Sequence, residues 1–367
     1  MARQDLRVAL IFGGRSAEHE VSRRSARSIF EAMARGNYEI LPLLITQEGS
    51  WYMRPAVAES FSASDELDEA DRVLMSPDPE HGGILNINAE GRLVRIEVDV
   101  VFPVLHGTYG EDGTLQGLFE LADIPYVGCG VLASSVGMDK VLMKIVFREA
   151  GLELTPYFWF LRSQWRDRRG PILEQMKSAK FPLFVKPANL GSSVGITRID
   201  QPAGFEAAVE HAMCFDRKVV VEEAVKGKEL EVSVLGNDDP VASVPGEIIS
   251  HSQFYDYEEK YLRDTAELVI PAHLPQHIVE RAQDAGVRAF KAVDGSGLAR
   301  VDMFLTPDER LVVNEINTLP GFTSISMYPK LWEATGLSYE KLIDRLIELA
   351  LERHQDKQQT LTCRKLP

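Results

Sequence analysis

A chain of 367 residues, 45% hydrophobic and 26% charged, is long enough for two or three cores and has the composition of a globular protein, which excludes a fibrous or wholly disordered chain. Its formal net charge of -15 excludes nucleic acid as the main partner, because phosphate backbones are bound by concentrated Lys and Arg; a local basic pocket for one nucleotide is compatible with it. Three widely spaced cysteines, Cys129, Cys214 and Cys363, with no CxxC pair, argue against a disulfide framework or zinc cluster, and no apolar stretch approaches the ~20 residues of a membrane span, so a cytoplasmic protein without a membrane partner is expected.

Residues 7–12 form a strand-like run ending in Gly13-Gly14, the pattern of a buried parallel strand. A helical stripe of Val21, Ala26, Ile29, Phe30 and Met33 follows over 19–35, then a strand over 39–45. Residues 55–92 read as a polar, acidic excursion of weak structure. A third strand, Val98 to Leu105, ends at His106-Gly107. Strands alternating with helices predict an open parallel sheet, whose ligands gather at the C-terminal strand ends, where both glycine motifs fall. A second segment opens at Met138-Asp139-Lys140 with a helix over 138–150 that Gly151 stops. It continues with strands at 181–186, 194–199 and 219–223 and a helix near 203–213. A third segment, from Gly227, holds strands at 229–235, 241–249, 298–305 and 311–316 and helices at 275–292 and 338–353. The last dozen residues are polar and expected to fray. The reading is an α/β chain, α+β in its later parts, divided at 1–138, 139–226 and 227–367.

The strongest chemical signal is Arg300-Val301-Asp302-Met303-Phe304-Leu305, a turn, and Leu311-Val312-Val313-Asn314-Glu315-Ile316-Asn317. Strand side chains alternate, so Arg300 and Asp302 share a face, as do Glu315 and Asn317. Folding the hairpin about residues 308–309 sets Asp302 opposite Glu315. Three oxygen-bearing side chains, Asp302, Glu315 and Asn317, then converge, a donor set suited to Mg²⁺. A second signal is Val185-Lys186-Pro187 before Gly191-Ser192-Ser193-Val194-Gly195, a lysine and a Gly/Ser loop able to lay N–H groups along phosphates. It is not a Walker A loop, because a strand follows rather than a helix. Gly128-x-Gly130-x-x-Ala133 offers a rival dinucleotide reading, weakened because no acid-tipped strand follows at the required distance.

Together these pieces resemble the ATP-grasp superfamily, and within it the D-alanine–D-alanine ligases. The resemblance spans nearly the whole chain through Gly13-Gly14-Arg15-Ser16-Ala17-Glu18-His19-Glu20-Val21-Ser22, Leu105-His106-Gly107 with Gly110-Glu111-Asp112-Gly113, Met138-Asp139-Lys140, the Lys186 and Gly191–Gly195 pair, Tyr255-Asp256-Tyr257-Glu258-Glu259-Lys260-Tyr261, Arg300-Val301-Asp302, and Asn314-Glu315-Ile316-Asn317-Thr318-Leu319-Pro320-Gly321-Phe322-Thr323. It implies an ATP-grasp fold of two α+β domains behind an α/β N-terminal domain. It implies a cytoplasmic, homodimeric enzyme that joins two D-alanines through a D-alanyl phosphate, using ATP and two Mg²⁺ or Mn²⁺, for peptidoglycan precursors. Carried over by matching position, Lys140 and Lys186 hold the α- and β-phosphates and Lys260 the γ-phosphate, with Ser193 and Phe254 also against ATP. Glu222 and the backbone of Ala224 and Val225 read adenine, and Glu229 holds the ribose. Asp302, Glu315 and Asn317 bind the metals. Glu18 pairs with the first substrate's ammonium, near His106. Arg300 and the Gly321 N–H form the oxyanion hole. Ser326 and the Met327 backbone take the second substrate's carboxylate, and Ser192, Tyr261 and Glu18 link into one lid, with 250–265 as its mobile loop. Two departures stand out: Glu223, where some members carry lysine, and residues 48–97, an insertion to which no function is assigned.

A D-alanine–D-lactate ligase is the alternative, and the intact segment 255–261 favours the amine as nucleophile. Tyr261→Phe removes one hydroxyl and keeps the ring, a loss of about 0.5–1.5 kcal/mol for one hydrogen bond. The variant is expected to keep D-alanine ligation and gain measurable D-lactate ligation. Competition between the two acceptors, scored by product mass, checks this, and an unchanged product ratio removes Tyr261 from acceptor choice.

Overall fold

Residues Val8 to Phe12 have no exposed surface, so the strand they form needs cover on both faces. The computed structural model describes residues 6–61, 67–68, 71–88, 90–249, 267–323 and 325–361. In it β1 (Leu6–Gly13) leads into α1 (His19–Met33), followed by β2 (Tyr38–Ile45), β3 (Trp51–Met53), β4 (Val73–Met75), β5 (Ile84–Ile87), β6 (Leu93–Ile96), β7 (Val100–Val104), α2 (Thr114–Leu121) and α3 (Val131–Met138). The first sheet has the order β3-β2-β1-β7, with β1 parallel to both neighbours. The predicted helical stripe is buried, and Ser22 fixes the helix start to the strand ends: its Oγ accepts from Gly13 N–H at 2.7 Å and donates to the Val104 carbonyl.

The described residues of 55–92 hold more regular structure than their composition suggests. Strands β4, β5 and β6 form a small antiparallel sheet whose Val73 and Ile84 are buried in a core with Ile124 and Tyr126. Each strand has only three or four residues, too few for alternation to stand out between Pro, Gly and acidic residues.

The middle segment runs α4 (Lys140–Glu149), β8 (Tyr157–Leu161), α5 (Arg162–Asp167), α6 (Arg169–Ser178), β9 (Leu183–Pro187), β10 (Thr197–Ile199), α7 (Phe205–Met213) and β11 (Lys218–Glu223). Its antiparallel sheet has the order β10-β9-β11-β8. Asp139 separates α3 from α4 and caps the latter, its Oδ1 accepting from the N–H groups of Val141 and Leu142 at 3.0 and 3.1 Å. The dinucleotide reading fails here: a second helix, not an acid-tipped strand of the same sheet, follows the Gly128 turn and α3.

The last segment holds β12 (Lys228–Gly236), β13 (Val241–Ala242), β14 (Gly246–Ile249), β15 (Glu267–Val269), α8 (Gln276–Ala292), β16 (Gly297–Leu305), β17 (Leu311–Asn317), α9 (Met327–Ala334) and α10 (Tyr339–Lys357). The strand expected over 241–249 is split around Pro245 into β13 and β14. The sheet order is β15-β14-β12-β16-β17, and its dry face shares one core with α8, α3 and α4 through Val232, Val301, Met303, Phe290, Met143 and Phe147. Helices α9 and α10 turn back onto the first sheet, where Phe12 and Phe102 share a core with Phe322, Tyr328 and Leu346. The cores therefore cross the segment limits read from the sequence. Among the described residues no helix is long and apolar enough to cross a membrane.

Gly13 ends β1 with φ +90°, and a Cβ there would lie 2.3 Å from the Ile45 carbonyl oxygen. Gly13→Ala is expected to destabilise the chain by about 1–3 kcal/mol or more, from backbone strain plus the clash. Denaturant unfolding against the parent chain checks this, and an unchanged midpoint contradicts it.

Candidate active site

The register of the last sheet builds the site in two cross-strand rows. Glu231, Asp302 and Glu315 stand opposite one another on β12, β16 and β17; Ser233, Arg300 and Asn317 form the next row. Directly opposed residues share a face, so the expected meeting of Asp302, Glu315 and Asn317 occurs. The pairing shifts after Asp302, where Met303 faces Val313 and Asn314 is the extra residue. This bulge lets both Val313 and Ile316 reach the dry core while Asn314 and Glu315 turn to the other face. Asp302 is tightly held: Arg300 Nε and Nη2 each donate to it at 2.7 Å, and Asn317 Nδ2 donates at 3.1 Å. Lys140 Nζ lies 3.8 Å from Glu315 and donates to the Leu190 carbonyl at 2.6 Å. Two carboxylates and an amide, all hard oxygen donors, fit Mg²⁺, which fills the rest of its shell with phosphate and water.

A second charged cluster lies under the Gly/Ser loop. Glu222 on β11 is 3% exposed, with Lys186 Nζ at 2.6 Å and Lys144 Nζ at 3.0 Å. Burial alone pushes a carboxyl up, but attraction to Lys144 and Lys186 together outweighs it and holds Glu222 down at about 2. Lys144, wholly buried on α4, is shifted down by its burial, which the attraction of Glu222 opposes. Both Glu222 oxygens are thus engaged by lysines, and the acid holds Lys186 in place. The Ala224 N–H donates to the Pro182 carbonyl at 2.9 Å and is not available to a ligand.

Glu18, 7% exposed, accepts a hydrogen bond from the Ser192 hydroxyl and so joins the first segment to the loop after β9. Ser192 and Ser193 hold φ of +50° and +59°, a left-handed conformation that residues with a Cβ rarely adopt. His106 is buried, and its Nδ1 lies 3.0 Å from the Leu319 carbonyl, which can only accept, so Nδ1 carries the proton. Burial lowers its pKa, with Arg300 adding to this, and the ring is neutral at pH 7. Glu111, present in the sequence motif without an assigned role, is pushed up to about 8 by burial and by the nearby Glu18.

Two clefts result. One is lined by Lys140, Lys186, Ser193, Glu222, Val225, Glu229, Asp302 and Glu315. The other is lined by Glu18, His106, Glu231, Arg300, Asn317, Gly321, Ser326 and Met327. Gly191, Ser192 and Glu315 line both, so the clefts meet there. Ser326 precedes α9, its Oγ accepting from the Thr323 N–H at 3.0 Å. Phe254, Lys260 and Tyr261, with the segment 250–265, lie outside the described residues. Sequence reasoning missed Lys144, Glu231 and the raised pKa of Glu111. Period-two alternation with Asp302 across the sheet would have found Glu231 had β12 been aligned to β16.

The sign of the Glu222 shift fixes a pH dependence. A carboxyl lowered on folding contributes stability above its unfolded pKa near 4.5, and this is lost as pH falls toward about 2. Glu222→Gln is expected to lower the melting temperature most above pH ~4.5 and progressively less toward pH ~2. A melting difference that stays flat across this window contradicts the pairing.

The D-ala D-ala ligase C-terminus family matches residues 146–348 and the D-ala D-ala ligase N-terminus family residues 7–129. The chain is 48% identical to a D-alanine–D-alanine ligase of Heliobacterium modesticaldum over 359 residues, covering 97% of this chain and 98% of that one. It is 46% identical to the corresponding ligase of Natranaerobius thermophilus, with the same coverage. Among solved structures, a D-alanine–D-alanine ligase from Coxiella burnetii superposes with a TM-score of 0.84 at 37% identity, covering 97% of this chain and 96% of that one. A D-Ala:D-Ser ligase from Enterococcus faecalis gives 0.84 at 40% identity, covering 95% and 100%. With two family matches in order and relatives aligned over nearly its whole length, the chain belongs to the D-alanine–D-alanine ligase family.

Proposed function

We propose that this ATP-dependent ligase of D-alanine holds ATP in the cleft of Lys140 and Lys186 and both amino acids in the cleft of Glu18 and Arg300. The observation that carries the assignment is that the two clefts meet at Gly191, Ser192 and Glu315, where a γ-phosphate and a carboxylate would react. Lys140, Lys186 and the Ser193 loop lie along the phosphates, Lys260 takes the γ-phosphate, and Glu229 takes the ribose. Val225, the Ala224 carbonyl and Phe254 face adenine. Glu18 pairs with the first D-alanine's ammonium beside His106, which orients that substrate as a neutral ring. Mg²⁺ or Mn²⁺, held by Asp302, Glu315 and Asn317, would neutralise phosphate charge.

The first D-alanine's carboxylate oxygen attacks the γ-phosphorus, and the bond to ADP breaks, giving an acyl phosphate. The second D-alanine sits with its carboxylate toward Ser326 and the N-terminus of α9, whose free N–H groups favour an anion. Its amine attacks the acyl carbon, and Arg300 with the Gly321 N–H stabilises the tetrahedral oxyanion before phosphate leaves. Donors fixed in place beforehand need little rearrangement as that charge develops. The same reading makes the enzyme a cytoplasmic homodimer; the apolar Val131, Leu132, Leu142 and Ile145, exposed on α3 and α4, support a covered face there.

Asp302→Ala and Glu315→Ala are each expected to abolish ligation and leave the fold intact. Phosphate release from ATP with D-alanine, D-serine, D-lactate or L-alanine, followed by product mass, measures both the loss and the acceptor. Near-normal turnover by either variant at saturating Mg²⁺ removes that residue from the metal site.

A further inference from the structure

The proposed reaction asks Arg300 and Asp302 to do different things, one at an oxyanion and the other at a metal. In the structure they are locked together. Arg300 Nε donates to Asp302 Oδ1 and Nη2 to Oδ2, both at 2.7 Å, so both carboxylate oxygens are engaged by one guanidinium. A carboxylate with both oxygens engaged in this way is a weak ligand, and a guanidinium turned toward it is poorly aimed at substrate.

A second carboxylate stands ready beside the pair. Glu231 lies on β12 directly opposite Asp302, is 4% exposed, and places Oε2 2.9 Å from the same Arg300 Nε. Arg300 Nε carries one proton, which serves one carboxylate at a time. Glu231 lines the amino-acid cleft together with Arg300, whereas Asp302 lines the nucleotide cleft. The next residue on that face of β12 is Ser233, opposite Arg300, whose hydroxyl donates to the Tyr328 carbonyl at 3.2 Å and offers no charge.

We propose that Glu231 is a positioning residue that takes over Arg300 as Asp302 turns to the metal. The exchange keeps a largely buried guanidinium paired throughout, where an unpaired one would be strongly disfavoured. It also shifts Arg300 from the nucleotide side toward the amino-acid side, where the oxyanion forms. In this role Glu231 acts through Arg300 rather than on substrate or metal. The inference rests on the metal role of Asp302 and the oxyanion role of Arg300 given above.

The test is a Mn²⁺ titration of the full chain with ADP, followed by the paramagnetic signal of free Mn²⁺. The chains compared are the parent, Glu231→Gln, Glu231→Ala, Glu231→Asp and Asp302→Ala, each checked by thermal melting. Without Glu231 the guanidinium stays on Asp302, so Glu231→Gln and Glu231→Ala are expected to weaken Mn²⁺ binding by about tenfold or more. They should also lower kcat more than they change KM for D-alanine, and Glu231→Asp should recover part of both. Parent-like Mn²⁺ binding and kcat in the Gln and Ala variants overturn the inference, including the case where only the melting temperature falls, as a packing role would give. Undiminished Mn²⁺ binding by Asp302→Ala overturns the metal reading itself, and the inference with it.

Discussion

One strand pair has to keep one face dry while it crowds charge onto the other. On β16 the residues Ala299, Val301 and Met303 have no exposed surface, and between them stand Arg300 and Asp302. Burying a side chain such as Met303 stabilises by about 1.5–3 kcal/mol, so the register cannot slip without turning the charged set into the core. The bulge after Asp302 satisfies both demands on β17, which keeps Val313 and Ile316 in the core and still brings Glu315 opposite Asp302. The clefts, the cross-strand rows and the position of Arg300 follow from that arrangement. Helix α8 enforces it from behind through Ala282, Ala289 and Phe290, which fill the dry side.

Charge in and beside the site is balanced locally. Lys144 and Lys186 meet Glu222, Lys218 meets Asp139, Arg300 meets Asp302 and Glu231, and Lys140 approaches Glu315. Buried charges are tolerated only when paired, so this pairing is what lets a strongly ionic site exist before any ligand arrives. It also fixes how the lysines are presented to the cleft. Lys144 is wholly buried and anchors Glu222; Glu222 then fixes Lys186, whose other side faces the cleft. The acid is the hinge of the set, which is why its pKa falls although its burial would raise it.

Much of this was legible in the sequence where a pattern was long or chemically unusual. Strands β1, β7, β16 and β17 announce themselves as apolar runs, and the pairing of Asp302 with Glu315 follows from alternation about one turn. The small sheet of β4, β5 and β6 did not, because strands of three or four residues leave no period to read. Helix α9 was also missed; it is eight residues long and starts at Met327 straight after an irregular loop. Lys144 looked like an ordinary helix residue, since nothing local says that its amine meets Glu222 across 78 positions. Packing of α10 against β7 and α1 left no local signal, because it is set by distant contacts.

The link between Glu18 and Ser192 ties these parts into one site. Two consecutive serines in the left-handed region cost about 1–3 kcal/mol each, so something outside the loop must hold them there. The pairing of β9 with β10 fixes the loop ends, and Glu18 holds its tip from the first segment. Glu18 is fixed in turn by its own surroundings: its N–H donates to the Ser16 hydroxyl at 3.1 Å, and Ser16 donates to the His106 carbonyl at 2.7 Å. A single chain of hydrogen bonds therefore runs from just past β7 to the Gly191–Gly195 loop. In the proposed reaction Glu18 meets the first amino acid and the loop meets ATP, so one carboxylate is shared by the two events that form the acyl phosphate. A carboxylate accepts from several donors at once, so in the proposed reaction Glu18 takes the ammonium while it still accepts from the Ser192 hydroxyl.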